Sequence, residues 1–259
     1  MTARLAWVSS LLLLGVAVLA LSACSSTATN KRAQKKSDAS NYNMQLGMAY
    51  LNQGDLGLAK EKLERAEAEN PNDPNVHSAM AMLQDRLGHP ELADKEFKAA
   101  LNLGPRSPDV LNNYAVYLCR TGRTDEGVKS FEEAAHNPLY RTPEAAYTNA
   151  GVCLKGAKRD TQAAMSFQRA LQVKPNFSEA AFQLSDLYFA RGELPDAREV
   201  IDRFTASFEP TPDLLLLGVR ISRKQADRLA EEKFARKLRM DFPSSDQARA
   251  LAELSRNPG

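Results

Sequence analysis

The sequence predicts an all-α fold, a right-handed superhelical solenoid of about six antiparallel helix pairs closed by a C-terminal capping helix. The main observation is a pattern that recurs about every 34 residues. An alanine is followed by an apolar residue four positions later, a small residue after three more and a proline after a further five. Clear copies are Ala59-Leu63-Ala66-Pro71, Ala93-Phe97-Ala100-Pro105 and Ala163-Phe167-Ala170-Pro175. Because one such unit cannot bury its apolar face alone, successive units are expected to stack.

Proline and glycine mark where the predicted helices begin and where they turn. Four N-cap residues precede a proline, which is favoured at the first helical position. They are Asp73, Ser107, Thr142 and Thr211. Four glycines lie where a first helix should end, because glycine adopts the left-handed conformation that this turn requires. They are Gly54, Gly88, Gly122 and Gly192.

These signals divide the chain into six repeats and a capping helix. The repeats are predicted at 40–73, 74–107, 108–143, 144–177, 178–210 and 211–243, with the capping helix and its tail at 244–259. Their period and residue pattern resemble the tetratricopeptide repeat, a pair of antiparallel helices. Small residues such as Gly47 and Gly151 are expected to let two helices cross closely, while larger neighbours fill the gaps.

The N-terminal segment resembles the export signal of a bacterial lipoprotein. Val8 to Leu21 is an apolar run that is short for a membrane span and placed like the core of a signal peptide. It ends in Leu21-Ser22-Ala23-Cys24, which resembles a lipobox. Residues 1–23 are therefore predicted to be removed and Cys24 to be acylated. The alternative is an ordinary secretory signal that leaves Cys24 free.

Residues 24–39 are predicted to be the acylated cysteine and a disordered tether. The segment is rich in Ser, Thr, Ala and Asn, and it carries the one basic run of the chain. Such a run adds weak attraction to an anionic membrane surface. Ser25 follows the cysteine, and the resemblance to Gram-negative lipoproteins implies export to the outer membrane. Two or more acyl chains would anchor the protein stably there.

Charge and motifs argue against catalysis and against nucleic-acid binding. The formal charge is +2, and loss of Arg4 with residues 1–23 lowers it by one, so the mature chain is almost neutral. His77, His89 and His136 are far apart, and none has a metal-binding partner at suitable spacing. His77 and His89 are expected to be solvated. No phosphate-binding, dinucleotide-binding or nucleophile-elbow motif occurs. We therefore predict no enzyme activity, cofactor, metal, small-molecule substrate or nucleic-acid partner.

Two cysteines remain besides Cys24. Cys119 and Cys153 lie near the ends of the first helices of adjacent repeats, and such helices are expected to lie side by side. Disulfides form and persist in the oxidising compartment that an exported protein reaches. A Cys119–Cys153 disulfide is therefore predicted, provided that the two Cα atoms approach within about 7 Å. The alternative is two separate buried thiols.

A peptide-binding groove is predicted along the first helices, on positions that lie off the packing stripe. Methionine suits such a surface because its flexible side chain repacks easily. The proposed groove residues are Met44, Met48, Leu51, Met82, Asn112, Val116, Phe182 and Phe189, with Leu215 and Val219 beside the phenylalanines. They would bind an extended or helical segment of a protein partner. The alternative is that the tether or packing between repeats covers them.

Four segments carry a more specific resemblance. They are Leu111-Asn112-Asn113-Tyr114, Leu118-Cys119-Arg120-Thr121-Gly122-Arg123, Asn137-Pro138-Leu139-Tyr140 and Asn149-Ala150-Gly151-Val152-Cys153-Leu154. With the lipobox and the repeats, they resemble the lipoproteins of type IV pilus biogenesis that act as pilotins of the pilus secretin.

This resemblance implies a non-enzymatic lipoprotein on the periplasmic face of the outer membrane of a Gram-negative bacterium. It would bind the pilus secretin PilQ and promote the outer-membrane localisation and multimerisation of the secretin. Pilus biogenesis and twitching motility would depend on it. The alternative is a general adaptor lipoprotein of the cell envelope that serves outer-membrane protein assembly or peptidoglycan enzymes.

Overall fold

The computed structural model describes residues 34–256, which form thirteen α-helices and no strand within that range. Helix α1 covers residues 34–53. The others are α2 Leu56–Glu69, α3 Pro74–Arg86, α4 Pro90–Leu103, α5 Pro108–Arg120, α6 Thr124–Ala135, α7 Pro143–Gly156, α8 Asp160–Val173, α9 Ser178–Ala190, α10 Leu194–Thr205, α11 Pro212–Lys224, α12 Arg228–Asp241 and α13 Asp246–Arg256. Over the described residues, no helix combines the length and the apolar character that crossing a membrane requires.

The predicted fold class is confirmed: six helix pairs follow one another in the described range, and α13 comes after the last pair. The chain divides into two compact units, Met1–Pro105 with α1 to α4 and Arg106–Gly259 with α5 to α13. In the second unit each first helix contacts the next, from α5 to α7, α9 and α11. These first helices therefore lie side by side, as the repeat pattern predicts.

The start of α1 differs from the predicted tether. Residues 34–39 are helical, so the tether predicted to run to residue 39 ends earlier. Gln34 donates a hydrogen bond of 2.8 Å to Asp38 one turn later. The buried Ser40 hydroxyl donates 2.8 Å to the carbonyl oxygen of Ala66 and fixes the helix against α2. The predicted signal peptide and the rest of the tether lie outside the described residues.

The predicted helix starts and turns are found. Helices α3, α5, α7 and α11 each begin at a proline after the predicted N-cap residue. The side chains of Asp73 and Thr211 accept hydrogen bonds from Asn75 N and Leu214 N. The four turn glycines have φ between +78° and +83°, a region that residues with a Cβ atom rarely adopt.

The core of each unit follows the repeat pattern. In the first unit, Leu51, Leu63 and Leu83 from α1, α2 and α3 form one buried cluster. In the second unit, the large buried residues at the repeat positions include Phe131 and Phe167. Each phenylalanine lies in a second helix, and Phe167 fills the space that Gly151 leaves on the first helix of its pair.

One consequence of this packing can be tested at Gly151. A Cβ atom placed there would lie 2.4 Å from the Phe167 ring, closer than real contacts allow. Gly151→Ala should therefore lower the free energy of unfolding by about 1–3 kcal/mol, as overpacked cores do. Gly156→Ala in the same helix is the matched control, because a Cβ atom there meets nothing within 4 Å. Urea denaturation of both variants measures the difference, and equal stability would contradict this account of the crossing.

Candidate protein-binding groove

Cys119 and Cys153 connect α5 and α7 covalently. Their sulfur atoms are 2.02 Å apart and their Cα atoms 5.6 Å apart, so they form a disulfide in the structure. Gly127 of α6 makes room for it, because a Cβ atom at that position would lie 2.5 Å from Cys119 Sγ and 3.0 Å from the carbonyl oxygen of Ala115. The glycine at this position thus accommodates the sulfur atom of Cys119.

An open cavity of about 500 Å³ lies beside the disulfide. Val116 of α5 and Val152 of α7 line it, and they are 46% and 45% exposed. Asn149 also lines the cavity, and its amide nitrogen donates a hydrogen bond of 3.2 Å to Asn112 Oδ1. We call Asn112, Val116, Asn149 and Val152 the disulfide groove. It combines exposed apolar groups with amides that can bond to a peptide backbone.

Two polar pairs connect α7 to the elements that follow it. Lys155 of α7 donates 2.6 Å to Asp186 of α9. Glu144, 4% exposed at the start of α7, accepts 2.7 Å from Lys174 Nζ.

The methionines predicted to line the groove lie in the first unit and are partly buried. Met44, Met48 and Met82 pack against the cluster that contains Leu51 and Leu83. Leu51 is only 2% exposed, so its predicted place on a binding surface is wrong. It lies just before the Gly54 turn, where α1, α2 and α3 enclose it.

The second predicted patch is mostly core. Leu215 and Val219 are fully buried, which corrects the prediction that they are surface residues. The cluster that encloses them includes Leu251 of α13, and this helix contacts α11. Phe182 and Phe189 pack against the same cluster and remain partly exposed. Lys224 lies 5.8 Å above the Phe189 ring.

The longer connection between α6 and α7 is held by its asparagine. Asn137 Nδ2 donates 2.9 Å to the carbonyl oxygen of Arg106, and Asn137 Oδ1 accepts 2.9 Å from Leu139 N. Leu139 is 83% exposed. Burial is the main reason that the pKa of Tyr140 lies above its usual value, and nearby Asp109 and Glu144 act in the same direction.

Two further predictions concern residues outside the groove. Cys24, the predicted lipidation site, lies outside the described residues. His77, expected to be solvated, has a side chain that is only 15% exposed and lies against Glu96. Sequence spacing did not reveal this contact, because the two residues belong to different helices of one repeat.

The helix pairs and the groove beside the disulfide define a tetratricopeptide repeat protein, a class of scaffold for protein–protein interaction. Models of the tetratricopeptide repeat match residues 40–73, 78–154 and 156–217.

More specific similarity is to pilus proteins. The type IV pilus assembly protein PilF of Pseudomonas aeruginosa is 30% identical over 202 residues, which are 78% of this chain and 80% of PilF. The chain therefore belongs to the family of type IV pilus assembly proteins that includes PilF. The solved structure of Pseudomonas aeruginosa PilF has a TM-score of 0.63 at 28% identity and covers 85% of this chain and 99% of its own. The crystal structure of PilW, a widely conserved type IV pilus biogenesis factor, also has a TM-score of 0.63. Its sequence identity is 27%, and the match covers 82% of this chain and 98% of the PilW chain.

Removal of the disulfide should destabilise the protein. The bond joins residues separated by 34 positions. Closing such a loop stabilises by about 3–4 kcal/mol in the chain-entropy model. Replacing Cys119 and Cys153 with serine should lower the free energy of unfolding by about this amount in denaturant titrations. Under reducing conditions the wild type should approach the variant in stability. Free thiols at both positions in protein purified from the periplasm, seen by non-reducing mass spectrometry, would contradict the bond.

Proposed function

We propose that this chain is an outer-membrane lipoprotein that binds the type IV pilus secretin PilQ and promotes its localisation and multimerisation. The observation that carries the proposal is the disulfide groove in a member of a pilus assembly family. Pilus biogenesis is a process of the cell envelope, where an exported scaffold would meet the secretin subunits. Twitching motility would depend on this step.

The disulfide groove suits a peptide segment of the secretin. Val116 and Val152 offer apolar surface on two adjacent helices. The side-chain amides of Asn112 and Asn149, which bond to each other, each keep further donor and acceptor capacity for a bound backbone. A disulfide between the two helices would keep the groove preformed, and preorganisation reduces the entropic cost of binding.

The acyl anchor would hold the protein at the outer membrane. Cys24 would carry lipid, and residues that follow it would connect the membrane to the repeats. Capture of secretin subunits at the membrane raises their effective concentration there, which favours multimers. The proposed mechanism is therefore positional and requires no chemical step by the chain.

Mutation of the disulfide groove tests the proposal directly. Val116→Asp combined with Val152→Asp should leave the fold intact, because both side chains are nearly half exposed. Charged groups in place of an apolar contact should weaken binding of purified secretin at least tenfold, a loss of about 1.4 kcal/mol or more. Secretin multimers in the outer membrane should fall in parallel.

Met165→Asp is the matched control for this experiment. Met165 is 51% exposed but lies on the second helix α8, away from the groove residues of α5 and α7. The Met165→Asp variant should bind secretin as the wild type does. Equal binding by the groove variant and the control, with circular dichroism showing both folded, would rule out the disulfide groove as the secretin site.

The anchor is tested at Cys24. Cys24→Ala should abolish acylation and move the protein from the outer-membrane fraction to the soluble periplasmic fraction, because the repeats then lack acyl chains to insert. Membrane fractionation and immunoblotting measure the shift. Ser25→Ala, which keeps the cysteine, is the control that should remain in the membrane. Outer-membrane retention of Cys24→Ala would refute lipid anchoring without bearing on secretin binding.

A further inference from the structure

His77 on α3 lies between two glutamates of neighbouring helices in the first unit. Its Nδ1 atom is 2.8 Å from Glu96 Oε2 on α4, and its Nε2 atom is 2.9 Å from the carbonyl oxygen of Pro71. A carboxylate of Glu67 on α2 completes the cluster, and one ligand atom from each of the three side chains lies within 4.8 Å of the other two. All three side chains are partly buried.

The hydrogen bonds around His77 require a positive charge at Nδ1. A carbonyl oxygen only accepts hydrogen bonds, so Nε2 must carry the hydrogen that points to Pro71. In a neutral imidazole, Nδ1 is then a lone pair that faces the Glu96 carboxylate at 2.8 Å. Two acceptors at this distance repel each other unless a proton lies between them or a cation binds to both atoms.

The charge of the cluster favours a divalent cation over a proton. Neutral His77 with ionised Glu67 and Glu96 carries two negative charges, which one proton only halves. A divalent ion neutralises both. Zn²⁺ binds histidine nitrogen and glutamate oxygen, and water often completes its coordination. The bond from Nε2 to Pro71 is also the support that metal-binding histidines commonly have, because it fixes the ring orientation and the tautomer.

We propose that Glu67, His77 and Glu96 bind a divalent transition-metal ion such as Zn²⁺. The ion would connect α2, α3 and α4 and so join the first two helix pairs within the unit. The other two histidines lack this arrangement in their recorded contacts: His89 Nδ1 meets the Gln84 amide oxygen, and His136 Nδ1 meets the Glu132 carbonyl oxygen. Only His77 faces carboxylate oxygens from other helices in the part of the chain that the structure describes.

The proton is the natural competitor of the metal. Burial alone lowers the pKa of His77, but the hydrogen bonds to Glu96 and Pro71 and the charges of Glu96 and Glu67 outweigh it, so the pKa lies above the ordinary 6.5. A metal must displace this proton. A more acidic solution should therefore weaken metal binding.

Isothermal titration of the full-length chain with Zn²⁺ alone tests the site. We expect one equivalent per chain, with binding lost in His77→Gln and weakened at least tenfold in Glu67→Gln. Glu67→Gln removes a ligand without changing the His77–Glu96 contact. Glu64→Gln, an exposed carboxylate of the same helix, is the matched control and should bind as the wild type does.

Nuclear magnetic resonance of the His77 ring gives a readout that does not depend on heat of binding. Zn²⁺ should shift the Nδ1 resonance and leave Nε2 protonated. Absence of binding at any pH between 6 and 8 would overturn the proposal. So would equal affinity in all four proteins, because the ion would then lie elsewhere. Circular dichroism identifies any variant that fails to fold. If His77→Gln fails to fold, the affinity of Glu67→Gln still decides the test.

Discussion

Close crossing of two helices within each pair is the constraint on which the rest of this structure depends. At these crossings a small residue of the first helix faces a large residue of the second. Gly47 faces Leu63, Gly151 faces Phe167, and Gly218 faces Phe234, with the added Cβ atom at 3.0 Å or less from the partner in each case. Within each unit, contact between helix pairs then buries apolar faces that a single pair leaves open. Regular stacking is thus a consequence of where the small residues lie along the sequence.

The pair α5/α6 has, in addition, a glycine on its second helix where a cysteine side chain approaches closely. This glycine, Gly127, faces the sulfur of Cys119. A first-helix cysteine in this space can reach Cys153 of the next repeat. The same spacing of α5 and α7 leaves Val116 and Val152 partly exposed beside the bond. The close approach of α5 and α7 therefore accounts both for the Cys119–Cys153 bond and for the exposed valines beside it.

Local rules of backbone geometry were sufficient to predict the helix ends from the sequence. Proline at the first helical position and glycine with positive φ are consequences of one residue's own sterics, so they do not depend on neighbours. The repeat period predicted the crossings for a similar reason, because it reports which positions must be small. In contrast, the extension of α1 through residues 34–39, ahead of the first repeat, was not predicted, because this turn of helix has its own hydrogen bond and no repeat pattern.

Exposure within the groove could not be predicted from the repeat position alone, because it depends on what each helix packs against. Val116 and Leu215 occupy comparable faces of first helices, yet the first is 46% exposed and the second fully buried. Helix α13 packs against α11 and contributes Leu251 to the cluster that encloses Leu215. The position of His77 near two glutamates is of the same kind, since helices α2, α3 and α4 supply one residue each. The repeat pattern specifies which positions are apolar or small but not which residue of another helix lies opposite, so clusters of this kind depend on the particular neighbours and cannot be read from the pattern.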